Sequence, residues 1–383
     1  MGSTLGPRWL ASLALASTVL LIPAPAGAFG TVEGGGQNRE HERITRAAVA
    51  CRPGTGSDGG CFEPRSMDQL AGHGKTFGAV GSPDRTEVSD PTAHCDNADF
   101  LDGGYPQTRD AATAALRACV EHLRERFRMA VKNAGGLLDG DGRVAGAEVN
   151  LDVDCQLDPT ADQRAKCVVL EDFGRALHGV QDFYAHSNWA DEADPARPIG
   201  ADNPPGLNRS APSPVLDLRG TDTPAVPRDL TTGCYVLKDR IPGVGACEGR
   251  VTHAALNKDN GLVDPVTASV TAPSTPRGMV RSNFAKEVAG AVAETGHQWQ
   301  EFQRALVTAY GTRKASLITC VLTHDNPLED CRALTPAVGG RIAGVDSTVF
   351  VLALSGVLLG ILGVILTIRA RRRHLLSQVP HRR

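Results

Sequence analysis

The sequence predicts an all-α, multi-helix ectodomain with long loops and local disulfides, followed by one C-terminal transmembrane helix. Three observations lead there. The extended apolar patterns of the interior have helical rather than alternating spacing, the ten cysteines all fall between residues 51 and 331, and an uncharged apolar stretch stands at 348–368. With only 3 Trp, 4 Tyr and 10 Phe in 383 residues, the core must rest mainly on Ala, Val and Leu, which suits close-packed helices better than sheets. The net charge of −3, from 40 basic and 43 acidic residues, argues against a broad nucleic-acid-binding surface.

The two ends set the expected compartment. Residues 1–28 hold one basic residue, Arg8, an apolar run over 9–22, and then Ala26-Gly27-Ala28. These are the parts of a secretory signal peptide with a small-x-small cleavage site, so Phe29 is the expected mature N-terminus. At about 1.5 Å per residue, 348–368 is long enough to cross roughly 30 Å of hydrocarbon. Arg369, Arg371, Arg372 and Arg373 then place the basic tail, 369–383, in the cytoplasm. The expectation is a single-pass cell-membrane protein whose ectodomain, residues 29–340, is extracellular. An even cysteine number in an exported domain reads as disulfides, and the cysteines fall into close neighbours: Cys51/Cys61, Cys95/Cys119, Cys155/Cys167, Cys234/Cys247 and Cys320/Cys331. Such short staples, about 2–3 kcal/mol each, fix loops more than they define a fold.

Within the ectodomain, helical spacing of apolar residues predicts helices at 41–50, at 111–138 up to the Gly135-Gly136 pair, at 160–188, and at 277–320 with a break near Gly311. Between 193 and 230 the composition turns to Pro, Asp, Arg and Ser, which reads as a long surface excursion. Asp139-Gly140-Asp141-Gly142 has a faint likeness to a calcium loop closed by Glu148, but the first ligand position falls on Leu137. A plain turn is the better reading.

The chemistry lies in the histidines. In FGRALHGVQDFYAHSNW, His178, Asp182 and His186 stand at i, i+4 and i+8, about 0°, 40° and 80° around one helix. Imidazole, carboxylate and imidazole on one stripe can hold zinc or another borderline cation, and a central carboxylate can bridge two ions. The apolar flanks Leu177, Val180, Phe183 and Trp189 imply that this stripe is buried, where unpaired polar groups are costly. Further ligand candidates are His41, the loop pair Asp84 and His94, and the i, i+4 pair His297 and Glu301.

The HxxxDxxxHSN helix resembles the central motif of fungal heterokaryon-incompatibility C (Het-C) proteins and CinY-type exported proteins. These in turn are similar to the zinc-dependent phospholipase C and single-strand nuclease superfamily. The resemblance covers about residues 29–310 and implies an all-α fold holding two or three zinc ions. In the chain order of that superfamily the implied ligands are Phe29 through its backbone amine and carbonyl, His41, Asp84, His94, His178, Asp182, His186, His297 and Glu301. Spacing favours Asp84 for the loop aspartate, with Asp96 as the alternative. The chain departs from the pattern in three places: phenylalanine replaces the usual first tryptophan, three residues rather than five separate Asp182 from His186, and the stretch from His186 to His297 is long.

The resemblance implies metal-assisted phosphoester hydrolysis, in which zinc brings the pKa of water from ~15.7 to near 7. Asp182 would bridge two ions, and Asp84 would ligate and also orient or deprotonate the attacking water. Substrates in keeping with this are phospholipids or other phosphoesters. The alternative reading is a non-catalytic cell-surface interaction protein stabilised by metal and disulfides.

Overall fold

The computed structural model describes residues 30–334 apart from 32, 35, 36, 158–163, 223 and 236–246. The expected signal peptide, Phe29, the expected span at 348–368 and the tail lie outside the described residues. Among the described residues no helix is long and apolar enough to cross a membrane.

The fold is mostly helical. Its elements are α1 (Glu40–Val49), α2 (Pro64–Ala71), α3 (Pro83–Thr86), α4 (Arg109–Asn133), α5 (Gly146–Val149), α6 (Ala165–His186), α7 (His253–Leu256), α8 (Asn283–Thr323) and α9 (Pro327–Asp330). Two antiparallel two-residue ladders complete the regular structure: β1 (Glu33–Gly34) with β2 (Gln37–Asn38), and β3 (Leu262–Val263) with β4 (Val270–Thr271).

Local chemistry accounts for the helix ends. Thr108 caps α4 by accepting from the Ala111 N–H at 3.2 Å, and proline occupies the first turn of α2, α3 and α9, where its missing N–H costs nothing. The α4 helix passes at the Gly135-Gly136 pair into a 3₁₀ turn, Ala134–Leu137. Gly311, at φ 74°, breaks the long α8 into two arms, a left-handed conformation that glycine adopts without penalty. The acidic run after α4 is a turn: Asp139 Oδ1 accepts from the Asp141 and Arg143 N–H groups. Glu148 is occupied elsewhere, accepting from the Ala165 N–H at the start of α6 at 2.9 Å.

The α6 helix is the axis of the molecule. It packs between α4 and α8, with α1 against α8, and nearly every side chain from Lys166 to His186 is buried. A helix buried all round is ordinarily apolar all round. This one carries Arg175, His178, Gln181, Asp182 and His186 in the interior, so each must find a partner. Below that polar band, Phe127, Phe173, Trp299 and Phe302 form the aromatic part of the core, with the Phe173 and Phe302 rings 4.8 Å apart.

The excursion at 193–230 corrects the sequence expectation. Apart from the 3₁₀ turn Pro214–Leu216, its described residues form no helix or strand, yet Val215, Leu216, Leu218 and Leu230 lie in the core. Asn188, directly after α6, pins it in place. Its Nδ2 donates to the Pro205 and Asp229 carbonyls, and its Oδ1 accepts from the Thr231 N–H. Composition reported the polar residues of this stretch and hid the few apolar ones that anchor it.

The five disulfides join sequence neighbours, as the spacing predicts: Cys51–Cys61, Cys95–Cys119, Cys155–Cys167, Cys234–Cys247 and Cys320–Cys331. The second ties the loop bearing His94 and Asp96 to α4. Replacing Cys95 and Cys119 together by serine should lower stability by about 2–4 kcal/mol. Calorimetry would show the lowered melting temperature, and hydrogen exchange should locate the loosening around residues 90–98 rather than throughout the fold.

Candidate metal centre

Two close approaches bring the loop 79–96 onto α6. A Cβ on Gly174 would lie 2.4 Å from Ala79 Cβ, and one on Gly179 would lie 2.6 Å from the Ala93 carbonyl oxygen. Only glycine at both positions lets this loop set Asp84 and His94 against His178 and Asp182.

Asp182, fully buried, is the middle of the site. Its Oδ2 lies 2.9 Å from His94 Nδ1 and 3.0 Å from His178 Nε2, while Oδ1 lies 3.3 Å from His41 Nε2. His94 Nδ1 and His178 Nε2 are themselves 2.9 Å apart, and Asp84 Oδ1 is 3.7 Å from His178 Nε2 and 4.0 Å from His94 Nδ1.

The far nitrogen of each ring fixes what the near nitrogen presents. His178 Nδ1 is 2.9 Å from the Val80 carbonyl and His94 Nε2 is 3.3 Å from the Glu87 carbonyl; a carbonyl only accepts, so these nitrogens carry hydrogen. His41 Nδ1 meets Gln181 Oε1 at 2.8 Å, and the Gln181 amide is oriented by donating to Thr45 and Thr295. In the neutral rings all three near nitrogens therefore aim lone pairs at the Asp182 and Asp84 carboxylates. Lone pairs converging at 2.9–3.7 Å repel unless positive charge lies among them. Edges of this length match a tetrahedral ion with Zn–N and Zn–O bonds of about 2.0–2.2 Å. Outer acceptors that set the tautomer are what metal-ligating histidines ordinarily have. The residues fit a zinc-like divalent ion, and Asp182 offers one oxygen to each of two such positions.

A second group adjoins the first. His186 Nδ1 lies 3.4 Å from Asp96 Oδ1, which is also 3.3 Å from His253 Nδ1. The other nitrogen of His186, Nε2, is 3.3 Å from Asp259 Oδ1 and 4.0 Å from Asp182 Oδ1. His253, Asp259 and the role of Asp96 beside His186 were missed in the sequence, because they come from aperiodic segments and one-turn α7. The only signal there was weak: a histidine and an aspartate, six apart, in a segment without regular pattern.

The structure does not bring His297 and Glu301 to either group. Glu301 is held by Arg219 and Arg304, and His297 belongs to none of the metal-competent groups among the described residues. Cys320, His324 and Cys331 also cluster, but both sulfurs are committed to a disulfide. Phe29 lies outside the described residues. Its neighbour Gly30 is buried, and the Gly30 N–H donates at 3.0 Å to Glu40, the residue before His41.

Electrostatics follow the geometry. Burial works against charge on Asp182, but His178, His186 and His41 around it outweigh burial and hold its carboxyl well below the usual range. His94 is likewise opposed by burial, yet its bond to Asp182 and the charges of Asp84 and Asp96 lift it to about 9. Burial alone dominates at His178, which is pushed down.

Two outcomes are expected. Gly179→Ala should displace the His94 loop, lowering both the melting temperature and the bound metal measured by elemental analysis; a variant with full metal content would refute the close-approach argument. The second concerns pH. Without metal, a His94 imidazolium supplies the missing positive charge, and because its folded pKa is raised this contribution is complete below about 6.5 and lost as pH rises to about 9. Metal binding needs the neutral ring. The melting-temperature gap between zinc-loaded and zinc-free protein should therefore widen between about pH 6.5 and 9, and a gap that stays flat would contradict it.

No family model, curated protein or solved structure matches this chain, so its functional reading rests on its own residues.

Proposed function

We propose that this protein is a zinc-dependent phosphoester hydrolase, similar in its chemistry to the phospholipase C and single-strand nuclease superfamily. In this reading it is exported and anchored by residues 348–368 with the ectodomain outside. The observation that carries the reading is Asp182, whose two oxygens face separate histidine sets, His94 and His178 on one side and His41 on the other. A carboxylate placed in this way could serve two cations, one at each oxygen. The residues that would hold them are Asp84, His94, His178 and Asp182 for one ion, and His41, Asp182 and the mature α-amine of Phe29 for the next.

Divalent ions at these positions supply Lewis acidity toward water and toward the phosphoryl oxygens of a substrate. The protein's own residues do the rest. Asp84, at 18% exposure, is the ligand that reaches solvent, while the side chains of Asp182, His178 and His41 are fully buried. A phosphoester therefore approaches along the Asp84 edge, where the Asp84 carboxylate orients water and takes its proton. Val80, Glu87 and Gln181 hold the imidazoles in register throughout. A membrane-anchored ectodomain suits a phospholipid headgroup as substrate.

One observation favours a second reading, a metal-stabilised cell-surface protein without catalysis: structural ions are closed off, whereas catalytic ions keep an open position, and among the described ligands this centre is exposed mainly at Asp84. Hydrolysis of a chromogenic phosphodiester by the metal-loaded ectodomain decides between them. Activity should vanish with chelator, return with zinc, and fall at least about 100-fold in Asp84→Asn while metal content stays within one ion of wild type. A loaded protein with no hydrolysis above background supports the structural reading. One residue added before Phe29 should lower metal content and activity and leave the helical circular dichroism unchanged.

A further inference from the structure

We infer that His186 and Asp259 hold a divalent cation of their own, with the Glu287 carboxylate supplying the balancing charge, at a position adjoining but separable from the His94–His178–Asp84 set. Asp259 and Glu287 are both buried, and among the described residues neither oxygen of either carboxylate has a hydrogen-bond donor. Four carboxylate oxygens without a donor in the interior are far outside what folded proteins tolerate without compensation.

The nearest protein cation does not provide it. Lys258, fully buried, spends its three N–H donors on the Ala185, Ser187 and Leu256 carbonyls at 2.8, 2.9 and 2.8 Å. Its nearest carboxylate is that of Asp191 at 3.4 Å. The neighbouring His186 imidazole turns one nitrogen to Asp259 without a hydrogen bond to it. Asn257 takes the Asp259 N–H on its Oδ1 at 2.8 Å, which fixes its amide and turns Nδ2 to His253 Nε2 at 3.4 Å. His253 therefore carries its hydrogen on Nδ1, toward Asp96 Oδ1. The same carboxylate oxygen faces His186 Nδ1 at 3.4 Å, while His186 Nε2 faces Asp259 Oδ1 at 3.3 Å, and neither ring nitrogen is within hydrogen-bond geometry. A carboxylate behind one imidazole nitrogen and another before the opposite nitrogen is the arrangement of a metal-bound histidine with its outer-shell support.

One nitrogen and carboxylate oxygens make a borderline-to-hard donor set, suited to zinc, manganese or iron(II) rather than copper(I). The ion class shares the metal-centre reading above, but the site does not depend on hydrolysis. Asp182 Oδ1, 4.0 Å from His186 Nε2, links it to the other ligands and explains why the stripe of α6 extends one turn past Asp182.

Elemental analysis of the zinc-loaded protein, with Asp259→Asn and His178→Ala beside wild type, tests the inference. Asp259→Asn should lose one ion per chain and keep the ion held by Asp84, His94 and His178, whereas His178→Ala should keep the ion at Asp259. Equal metal content in Asp259→Asn and wild type would overturn it, as would complete loss of metal from both variants, which would make the sites one. For the case where Asp259→Asn fails to fold, anomalous scattering at the zinc edge from crystals of the wild-type ectodomain answers the same question. A peak within about 2.0–2.3 Å of both His186 Nε2 and Asp259 is expected. Peaks confined to the Asp84–His94–His178 group would overturn this site and leave the first intact; no peak anywhere would remove both.

Discussion

A carboxylate with no access to water, placed near the C-terminal end of the most buried helix, is the constraint around which this protein is organised. Taking one charge from water into the interior costs several kcal/mol even after relaxation. The fold answers by delivering a histidine to each side of Asp182 from three different segments: His41 from α1, His94 from a loop and His178 from the preceding turn of α6. Each ring is then braced from behind by an acceptor. The polar interior is thus a set of mutually dependent placements, and losing one partner leaves the others uncompensated.

The rest of the fold reads as support for those placements. Gly174 and Gly179 allow the loop to lie on α6, and the Cys95–Cys119 link holds the same loop from its outer side. The α6 helix is satisfied at both ends by buried or half-buried charge of the right sign. Glu148 accepts at its N-terminus, and Lys258 binds its last carbonyls, in keeping with the helix dipole. Asn188 then ties the long excursion to the helix end. Backbone groups that would otherwise be orphaned become the fixtures that orient ligands.

What was legible in the sequence follows from period. His178, Asp182 and His186 repeat at four residues, so a helix alone puts them on one stripe, and the break at Gly311 and the neighbouring disulfide pairs are likewise local facts. His41, Asp84 and His94 stand out only weakly in the sequence and gain support from chain order in a resembling family, since nothing local distinguishes a ligand histidine from a surface one. His297 and Glu301 show the limit of periodic reasoning. Glu287, Glu294 and Glu301 are seven apart and lie on nearly one stripe of α8, but fourteen residues of helix span about 21 Å. Period gives the face and says nothing of height. Glu287 therefore falls beside Asp259, and Glu301 falls among arginines. His253 and Asp259 had no period at all, because tertiary packing of irregular chain positions them.

The acid excess in this interior also bears on folding. Asp96, Asp182, Asp259 and Glu287 are all buried, and the buried Lys258 side chain is engaged with carbonyls. Without ions, the remedy left to the chain is protonation. His186 is driven well above its ordinary value by Asp259, Asp182 and Asp96 against the opposing effect of burial, and burial pushes Glu287 up in the same direction. A proton on an imidazole compensates one carboxylate, whereas a divalent ion compensates two and satisfies several lone pairs at once. Ligands assembled from α1, two loops and α6 come into register only in the folded chain, so the free energy of binding an ion there is also free energy of folding. For a fold whose central helix is polar where a core is normally apolar, the ions would belong to the structure as much as the helices do, whichever chemistry they go on to perform.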